Sequence, residues 1–320
     1  MASFHEVLRT ARVNRSLRNF PDCEDPRTRD GLLFPGFRPK FPINFSNTTV
    51  FTIGSCFARN VEQALRPFGV NLPTADFDAP KSEYPYRGNG LLNEYNPGTM
   101  NQRILFALGG KEYPPETIVQ SGDLYIDLLL PPGGAVMFER AVERRREIAS
   151  IYRQLASSDL VIITLGLVET WFDHETKLYL NQLPPPALAA KSPKRFEFKR
   201  LGVTACMRLL EEAFSALTGA GPKILLTVSP VPLRVTFSDQ DSVVANEFSK
   251  SVLRVVAERL AALPTVDYFP SYEIVRSGGL SAYVADQVHV RPEVVEQVID
   301  FMLAAYAKAG MNAATETAAE

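Results

Sequence analysis

The stretch that decides the fold is FTIGSCFARN, residues 51–60, in which a short apolar run passes directly into a helical pattern. The run TVFTI, residues 49–53, is β-branched and aromatic, which is typical of a buried strand. From Cys56 to Pro67 the apolar residues recur at helical spacing. Ser55 lies at the junction, so it either caps the helix or acts as a nucleophile at the end of a strand.

Two later segments repeat this strand pattern. DLVIITL, residues 159–165, and KILLTV, residues 223–228, are continuous apolar runs of the kind buried on both faces of a parallel sheet. Helical patterns accompany them and a short strand at 265–269, namely 138–155, 201–217, 247–263 and 291–307. This alternation predicts a three-layer α/β/α sandwich with a mainly parallel sheet.

The sandwich is predicted to occupy residues 46–308, with additions at both ends and in the middle. Residues 1–45 are rich in Arg, Pro and Asp and are predicted to form an arm packed on the domain. Residues 74–138 form a long excursion with one helix near 100–108 and a hairpin at 113–129. Such a span inside a compact domain is usually functional, so an inserted, lid-like region is expected, with a binding wall or an inserted subdomain as the alternatives. Residues 309–320 are predicted to be a disordered tail.

Composition excludes several function classes. The chain has 320 residues, is 46% hydrophobic and carries a formal net charge of -2, which is typical of a soluble globular protein. It lacks the cationic field that nucleic acid binding requires, so no nucleic acid partner is expected. No apolar run is long enough for a membrane span, and the start lacks a signal-peptide core, so a cytoplasmic location is expected.

Cofactor signals are also missing from the sequence. The three cysteines, Cys23, Cys56 and Cys206, have no CxxC spacing, so neither a disulfide framework nor a metal site is indicated. Residues 88–90, Gly-Asn-Gly, lack the third glycine of a dinucleotide fingerprint, and no phosphate-binding loop motif occurs. No cofactor is therefore expected.

Three residues after predicted strand ends form a catalytic set. A serine hydroxyl needs an imidazole to take its proton, and the imidazole needs a carboxylate to fix its tautomer. Ser55, His289 and Asp286 supply these groups, and an Asp three residues before a His can fold back to its Nδ1. The alternatives remain that Ser55 and Asp286 only cap helices and that His289 is an ordinary surface residue.

The segment after the strand at 159–165 offers further candidates. Glu169 either binds a sugar hydroxyl or a cationic group, or anchors a loop through its amides. Trp171, the only tryptophan, either stacks on a sugar ring or packs in the core. Cys56 is next to Ser55, but its side chain is expected to point into the fold.

The chain resembles a known family in six ordered motifs. They are FTIGSCFARNVEQAL, LLNEYNPGTMNQRI, ITLGLVETWFD, TVSPVPL, VDYFPSYEIV and ADQVHV. These are similar to the motifs of the GSCFA family, named from residues 54–58, which in turn resembles the SGNH or GDSL-type hydrolases. That resemblance implies a flavodoxin-like, SGNH hydrolase-like fold with Ser55 as nucleophile, His289 as general base and Asp286 as its orienting carboxylate.

The same resemblance implies an oxyanion hole and shows one departure from its pattern. Gly98 or Asn96 corresponds to the second block, and Gly166 begins the third. An asparagine is expected in the third block, but residues 166–169 read Gly-Leu-Val-Glu. Loss of one oxyanion donor typically costs about 10²- to 10³-fold in rate. Either Asn96 substitutes, or the activity is weak or specialised.

The expected function is ester hydrolysis through an acyl-serine intermediate. The expected substrate is a small-molecule or glycan ester, such as an O-acylated carbohydrate. An acyltransferase that passes the acyl group to a sugar hydroxyl would use the same residues. A non-catalytic carbohydrate-binding protein on the same fold is the third alternative, because the third-block asparagine is missing.

Overall fold

The computed structural model describes residues 2–46 and 48–317. Its helices are α1 (Phe4–Val13), α2 (Cys56–Leu65), α3 (Pro97–Leu108), α4 (Phe138–Tyr152), α5 (Pro186–Lys191), α6 (Val203–Gly219), α7 (Ser242–Leu260), α8 (Ser271–Ser277) and α9 (Pro292–Thr317). Its strands are β1 (Thr28–Arg29), β2 (Leu32–Leu33), β3 (Val50–Gly54), β4 (Ile118–Ser121), β5 (Leu124–Asp127), β6 (Leu160–Leu165), β7 (Glu169–Asp173), β8 (Leu178–Leu180), β9 (Phe196–Arg200), β10 (Lys223–Val228) and β11 (Val266–Tyr268).

The central sheet has the order β11-β10-β6-β3, and every neighbouring pair is parallel. Beyond β3, Asn71 forms an isolated parallel bridge with Thr49, and its carbonyl accepts from Val50 N at 2.8 Å. Asn71 thus stands where a flavodoxin-like sheet has its second strand, outside the first. The predicted α/β fold with a mainly parallel sheet is confirmed.

The sheet is covered on both faces because successive strand residues point to opposite sides. Phe51 and Ile53 of β3 face a cluster built with residues of α3, α4, α6 and α7. Val50 of the same strand, with Ile162 and Leu225, faces a second cluster built with residues of α2, α8 and α9. Continuous burial of β6 explains its unbroken apolar sequence.

The N-terminal residues contain more regular structure than their composition indicates. A ten-residue helix, α1, begins after Ser3, whose side chain and Glu6 form a capping box. Further along, Phe34, Phe41 and Phe45 are buried in the cluster that contains α9. The prolines between these rings prevent a regular element, but the rings still pack.

The excursion at 74–138 is only partly irregular. Helix α3 lies within it, and Met100 and Ile104 of that helix are fully buried in the core cluster on the α6 side of the sheet. Strands β4 and β5 pair as an antiparallel hairpin at the predicted position. Helix α3 therefore belongs to the helical layer of the sandwich.

A second, three-stranded antiparallel sheet has the order β8-β7-β9. Strand β9 was not predicted from the sequence, because its residues FEFKR carry charges and are mostly half-buried. At the C-terminus, α9 continues to Thr317, through most of the segment predicted to be disordered; its Ala-rich sequence has high helix propensity. In residues 2–46 and 48–317, no helix combines the length and apolarity that crossing a bilayer requires.

Candidate active site

The turn between β3 and α2 is fixed by Gly54. Its φ is +156°, and a Cβ there would lie 2.7 Å from Thr164 Cβ on the neighbouring strand. A side chain at this position would therefore be both strained and blocked. Ser55, the next residue, is the N-cap position of α2, yet its side chain makes no capping hydrogen bond. The hydroxyl of Ser55 is thus left for another partner.

That partner is Ser229, which follows β10. The two hydroxyl oxygens lie 3.3 Å apart, and both residues are buried, with 5% and 1% of their surface exposed. Ser229 Oγ also accepts a hydrogen bond from Val231 N at 3.2 Å. The sequence analysis assigned Ser229 no role, because its closeness to Ser55 depends on the fold, which places the ends of β10 and β3 at the same edge of the sheet.

Asp286 and His289 form a hydrogen-bonded pair within one turn. Asp286 Oδ2 lies 2.6 Å from His289 Nδ1, and Oδ1 accepts from the backbone N–H groups of Val288 and His289 at 2.9 and 3.0 Å. Gln287 takes a left-handed conformation, φ 56°, to close the turn. The hydrogen bonds from the backbone and then from the ring of His289 lower the pKa of Asp286 well below its usual range.

One tether connects this turn with the serines. The hydroxyl of Tyr283 donates to Pro230 O at 2.9 Å, directly after Ser229, and Val284 N donates to His289 O at 2.9 Å. The Asp286–His289 pair therefore stands at the same edge of the sheet as Ser55. Within the described residues, no hydrogen bond joins His289 to Ser55, and about half of each side chain of the pair is exposed.

Asn93 is the amide that the structure brings to the start of α2. It is 1% exposed, its Nδ2 lies 3.7 Å from Cys56 Sγ, and its Oδ1 has no partner among the described residues. Glu94 N, the next backbone group, donates to Gly54 O at 2.9 Å and holds the segment in place. Burial raises the pKa of the Cys56 thiol, which keeps it protonated and disfavours it as a nucleophile.

The two residues predicted for the second block have other contacts. Asn96 caps α3, its Oδ1 accepting from Thr99 N at 3.0 Å. Gly98 lies under the ring of Tyr179, so close that a Cβ would meet it at 2.3 Å. Asn93 stands three residues before Asn96 in the same motif; its Nδ2 contacts Cys56 at the start of α2, whereas Asn96 caps α3.

Gly166, after β6, is a position of close backbone approach. A Cβ there would lie 2.6 Å from Tyr95 O. Its carbonyl and that of Val231 each accept from Lys250 Nζ at 2.7 Å. Lys250 is 2% exposed, and burial lowers its pKa to about 7. In its neutral form the amine has two N–H groups, and these two carbonyls accept both.

Glu169 and Trp171 lie on β7 and line a small cavity of about 130 Å³, together with Asn96. The carboxylate of Glu169 accepts from the Thr236 hydroxyl at 2.7 Å and from Phe237 N at 3.0 Å, which is the loop anchor that the sequence left open. The Trp171 ring packs 5.5 Å from Phe237, centroid to centroid, and its Nε1 has no partner among the described residues. Neither residue contacts Ser55 by a hydrogen bond in this part of the chain.

Over residues 2–46 and 48–317, no group of three or more His, Cys, Asp or Glu side chains is arranged to hold a metal ion.

The fold and this site define a class: a doubly wound α/β protein with a buried serine at the first strand–helix turn and an Asp–His pair at the same sheet edge. Comparison with known families identifies the family. Residues 49–301 match the GSCFA family, and the chain belongs to that family. No curated protein matches the chain.

Solved structures give distant matches. A catalytic mutant of Axe2, an acetylxylan esterase from Geobacillus stearothermophilus, is 14% identical with a TM-score of 0.35, covering 82% of this chain and 95% of its own. LAE5, an alpha/beta hydrolase from the metagenome of Lake Arreo, Spain, is 11% identical with a TM-score of 0.33, covering 82% and 97%. TM-scores this low carry no inference about activity.

Proposed function

We propose that this chain is a serine-dependent ester hydrolase with Ser55 as nucleophile, His289 as general base and Asp286 as the carboxylate that orients the ring. The observation that carries the proposal is that the Ser55 hydroxyl stands at an N-cap position without capping the helix. A serine that served only as a cap would bond the first-turn N–H groups. Here the hydroxyl points toward Ser229 instead.

The Asp286–His289 pair is suited to act as the base. The carboxylate holds Nδ1 as the protonated nitrogen, which leaves Nε2 to accept a proton. Catalytic hydrogen bonds are often long in ligand-free proteins and tighten in the reacting complex. The pair is half-exposed and is held by its own turn, so a small shift toward Ser55 does not require repacking of the core.

The reaction then proceeds in two steps, acylation and deacylation of Ser55. Ser55 Oγ adds to the ester carbonyl carbon while His289 Nε2 takes the hydroxyl proton; the carbon–oxygen bond to the alcohol breaks, and the alcohol leaves with that proton. Water then attacks the acyl-serine with His289 again as base, which releases the acid and restores Ser55. The free N–H groups of the first turn of α2 and Nδ2 of Asn93 are the oxyanion donors in this proposal.

The substrate proposed is a small acyl ester of a carbohydrate, with acetyl as the leading acyl group. Ser55 is 5% exposed, so a short acyl chain reaches its hydroxyl more easily than a long one. Asn93 here takes the donor role for which sequence reasoning offered Asn96 or Gly98. Transfer of the acyl group to a sugar hydroxyl remains the second candidate, because the same groups would serve it.

The test combines covalent labelling with product analysis. The protein is treated with a fluorophosphonate and its peptides are mapped; label on Ser55, retained in Ser229→Ala and lost in Ser55→Ala, is the expected result. Incubation of an acetyl ester with and without a glycan acceptor separates the candidates, since only a transferase moves acetyl to the sugar. Absence of label at every residue would favour a non-catalytic carbohydrate-binding protein.

A further inference from the structure

Helix α1 stands apart from the packed clusters of the domain. None of its ten residues is buried, and the side chains of Phe4, Val7 and Leu8 are 72%, 52% and 41% exposed. A helix shorter than about 12–15 residues is only marginally stable in water by itself, because most helices in proteins are stabilised by packing of an apolar face. Helix α1 lacks such packing, so its apolar face is available to a surface outside the chain.

The apolar side chains of α1 lie on one side of the helix. They follow the i, i+3, i+4, i+7 spacing of a single helix face, namely Phe4, Val7, Leu8 and Ala11. The remaining positions apart from Val13 are polar, namely His5, Glu6, Arg9, Thr10 and Arg12. A helix with one apolar face, a charged face and low overall hydropathy is typical of helices that lie in the plane of a membrane interface.

The charge of this segment indicates what covers the apolar face. Residues 2–18 contain four arginines and one carboxylate, that of Glu6, which accepts from Ser3 N at 2.6 Å at the start of the helix. All four arginines are exposed and form no ion pair in the described ranges, namely Arg9, Arg12, Arg15 and Arg18. Positive charge beside an apolar face attracts an anionic lipid surface, and it repels the same face of a second copy of the chain.

The segment after α1 attaches the helix to the domain. Leu17 packs so closely on Gly36 that a Cβ on the glycine would lie 2.5 Å from it. Leu33 N, three residues before Gly36, donates to Ser277 Oγ of α8 at 2.7 Å. Phe20, which is 88% exposed, adds a second exposed phenylalanine to the same arm. The arm is therefore fixed on α8 at one end and presents α1 to solvent at the other.

We propose that α1 docks on an anionic lipid surface, with Phe4, Val7 and Leu8 among the acyl chains and the arginines at the headgroups. The strength of such docking scales with the apolar area buried and with the charge of the lipid, so one short helix binds weakly and reversibly. This docking goes beyond the proposed ester hydrolysis and does not rest on it.

The test is co-sedimentation of the full chain with two kinds of vesicle. One kind is phosphatidylcholine alone, and the other is phosphatidylcholine mixed with anionic phosphatidylglycerol. Each arginine at an anionic surface contributes about fivefold in affinity. The wild type should therefore bind the mixed vesicles at least about tenfold more tightly than the neutral ones. Added salt should weaken binding to the mixed vesicles, because it screens the charges.

A matched pair of glutamine variants tests the apolar face. Leu8→Gln should weaken binding to the mixed vesicles about tenfold, as loss of one buried leucine side chain does. Thr10→Gln, on the polar face of the same helix, should bind as the wild type does. Leucine and glutamine have similar helix propensities, and α1 contains no buried residue. Neither variant should therefore change the temperature at which the protein unfolds.

A second set of variants tests the charge. Arg12→Gln should weaken binding to the mixed vesicles about fivefold, and Arg12→Lys should restore it, because a lysine carries the same charge. Arg208 is exposed on α6, in a different part of the chain. Arg208→Gln removes the same charge from the protein and should leave binding unchanged.

Four results would overturn the proposal. The wild type could bind neither kind of vesicle, or bind both kinds equally. Leu8→Gln and Thr10→Gln could bind the mixed vesicles equally. A wild-type dimer that Leu8→Gln dissociates would show that a second copy of the chain covers the face. Tighter binding to the mixed vesicles that falls in Leu8→Gln and Arg12→Gln, and is unchanged in Thr10→Gln and Arg208→Gln, supports docking of α1 on anionic lipid.

Discussion

The turn that holds Ser55 and the turn that holds His289 are built in opposite ways. Ser55 follows a buried parallel strand, and the glycine before it is locked against Thr164 of the adjacent strand. The Asp286–His289 turn is half-exposed and depends on hydrogen bonds within four residues. The proposed nucleophile is thus positioned by the core, and the proposed base is positioned by its own local sequence. Substitutions at the two turns should therefore change turnover and stability to different extents.

The largest effect is expected from Ser55→Ala. Loss of the nucleophile should lower turnover by about 10⁴- to 10⁶-fold, as loss of a triad member does in serine proteases. Because the hydroxyl does not cap α2, stability should change by less than the usual cap loss of about 0.5–2 kcal/mol. Ester turnover and urea unfolding of the variant check both parts. Turnover close to that of the wild type would remove Ser55 from the mechanism.

The next largest effect is expected from Asp286→Asn. The amide oxygen can still accept from the N–H groups of Val288 and His289, so the turn should persist. Its NH₂ group, however, donates to Nδ1 and leaves the proton on Nε2, the wrong tautomer for a base. The corresponding change in serine proteases costs about 10⁴-fold. Turnover and urea unfolding of the same preparation are measured; a loss of activity that only tracks unfolding would contradict an orienting role.

Asn93 and Asn96 form a matched pair that tests which amide donates to the oxyanion. Asn93→Ala should lower turnover by about 10²- to 10³-fold with little change in KM, since it removes a donor used in the transition state. Asn96→Ala should instead lower stability by about 0.5–2 kcal/mol, as loss of the α3 cap, and leave turnover of the folded protein nearly unchanged. Steady-state kinetics and denaturant unfolding of both variants distinguish the donor role from the capping role. The reverse pattern would return the donor role to Asn96.

The smallest effect concerns Lys250 and pH. In the unfolded chain a lysine keeps its proton to about pH 10.4, whereas in the folded chain Lys250 releases it at about pH 7. Between these values the unfolded state binds more protons, so this group makes stability rise with pH from about 7 to about 10; below about 7 the full cost of burying the charge is present.

Lys250→Met should lack this contribution. Its stability relative to the wild type should therefore fall as pH rises from about 7 to about 9, beyond a constant loss from the unpaired carbonyls of Gly166 and Val231. Urea unfolding at several pH values measures the difference. Parallel curves for the two proteins would mean that Lys250 does not titrate in this range.

The fold could be predicted where local sequence dictates structure. The runs at β3, β6 and β10 are apolar throughout because both faces of the sheet are covered, and that pattern needs no partner to be recognised. Strand β9 could not be predicted this way, because its charged and aromatic residues form a strand only by pairing with β7. Helix α3 was recognised in part, but its place in the core depends on contacts with α6.

The candidate site divides in the same manner. The Asp286–His289 pairing follows from a spacing of three residues, so sequence alone indicated it. Ser229 and Asn93 are ordinary polar residues until the fold places one 3.3 Å from the Ser55 hydroxyl and the other against Cys56. Lys250 stands in a polar stretch, Ser249 to Ser251, which reads as a solvated face although its amine is buried. The positions of Ser229, Asn93 and Lys250 therefore depend on long-range packing and could not be predicted from the local sequence.

The aromatic arm around Tyr306 has a consequence for where the folding unit begins. The rings of Phe37, Phe41 and Phe45 lie 5.7, 6.3 and 6.2 Å from the Tyr306 ring, and Lys40 N donates to Asp267 Oδ2, which also accepts from the Tyr306 hydroxyl. The family match starts only at residue 49. A protein trimmed to that boundary would uncover the apolar face of α9 and should self-associate and precipitate on expression. The segment that matches the family is thus shorter than the segment that we expect to remain in solution.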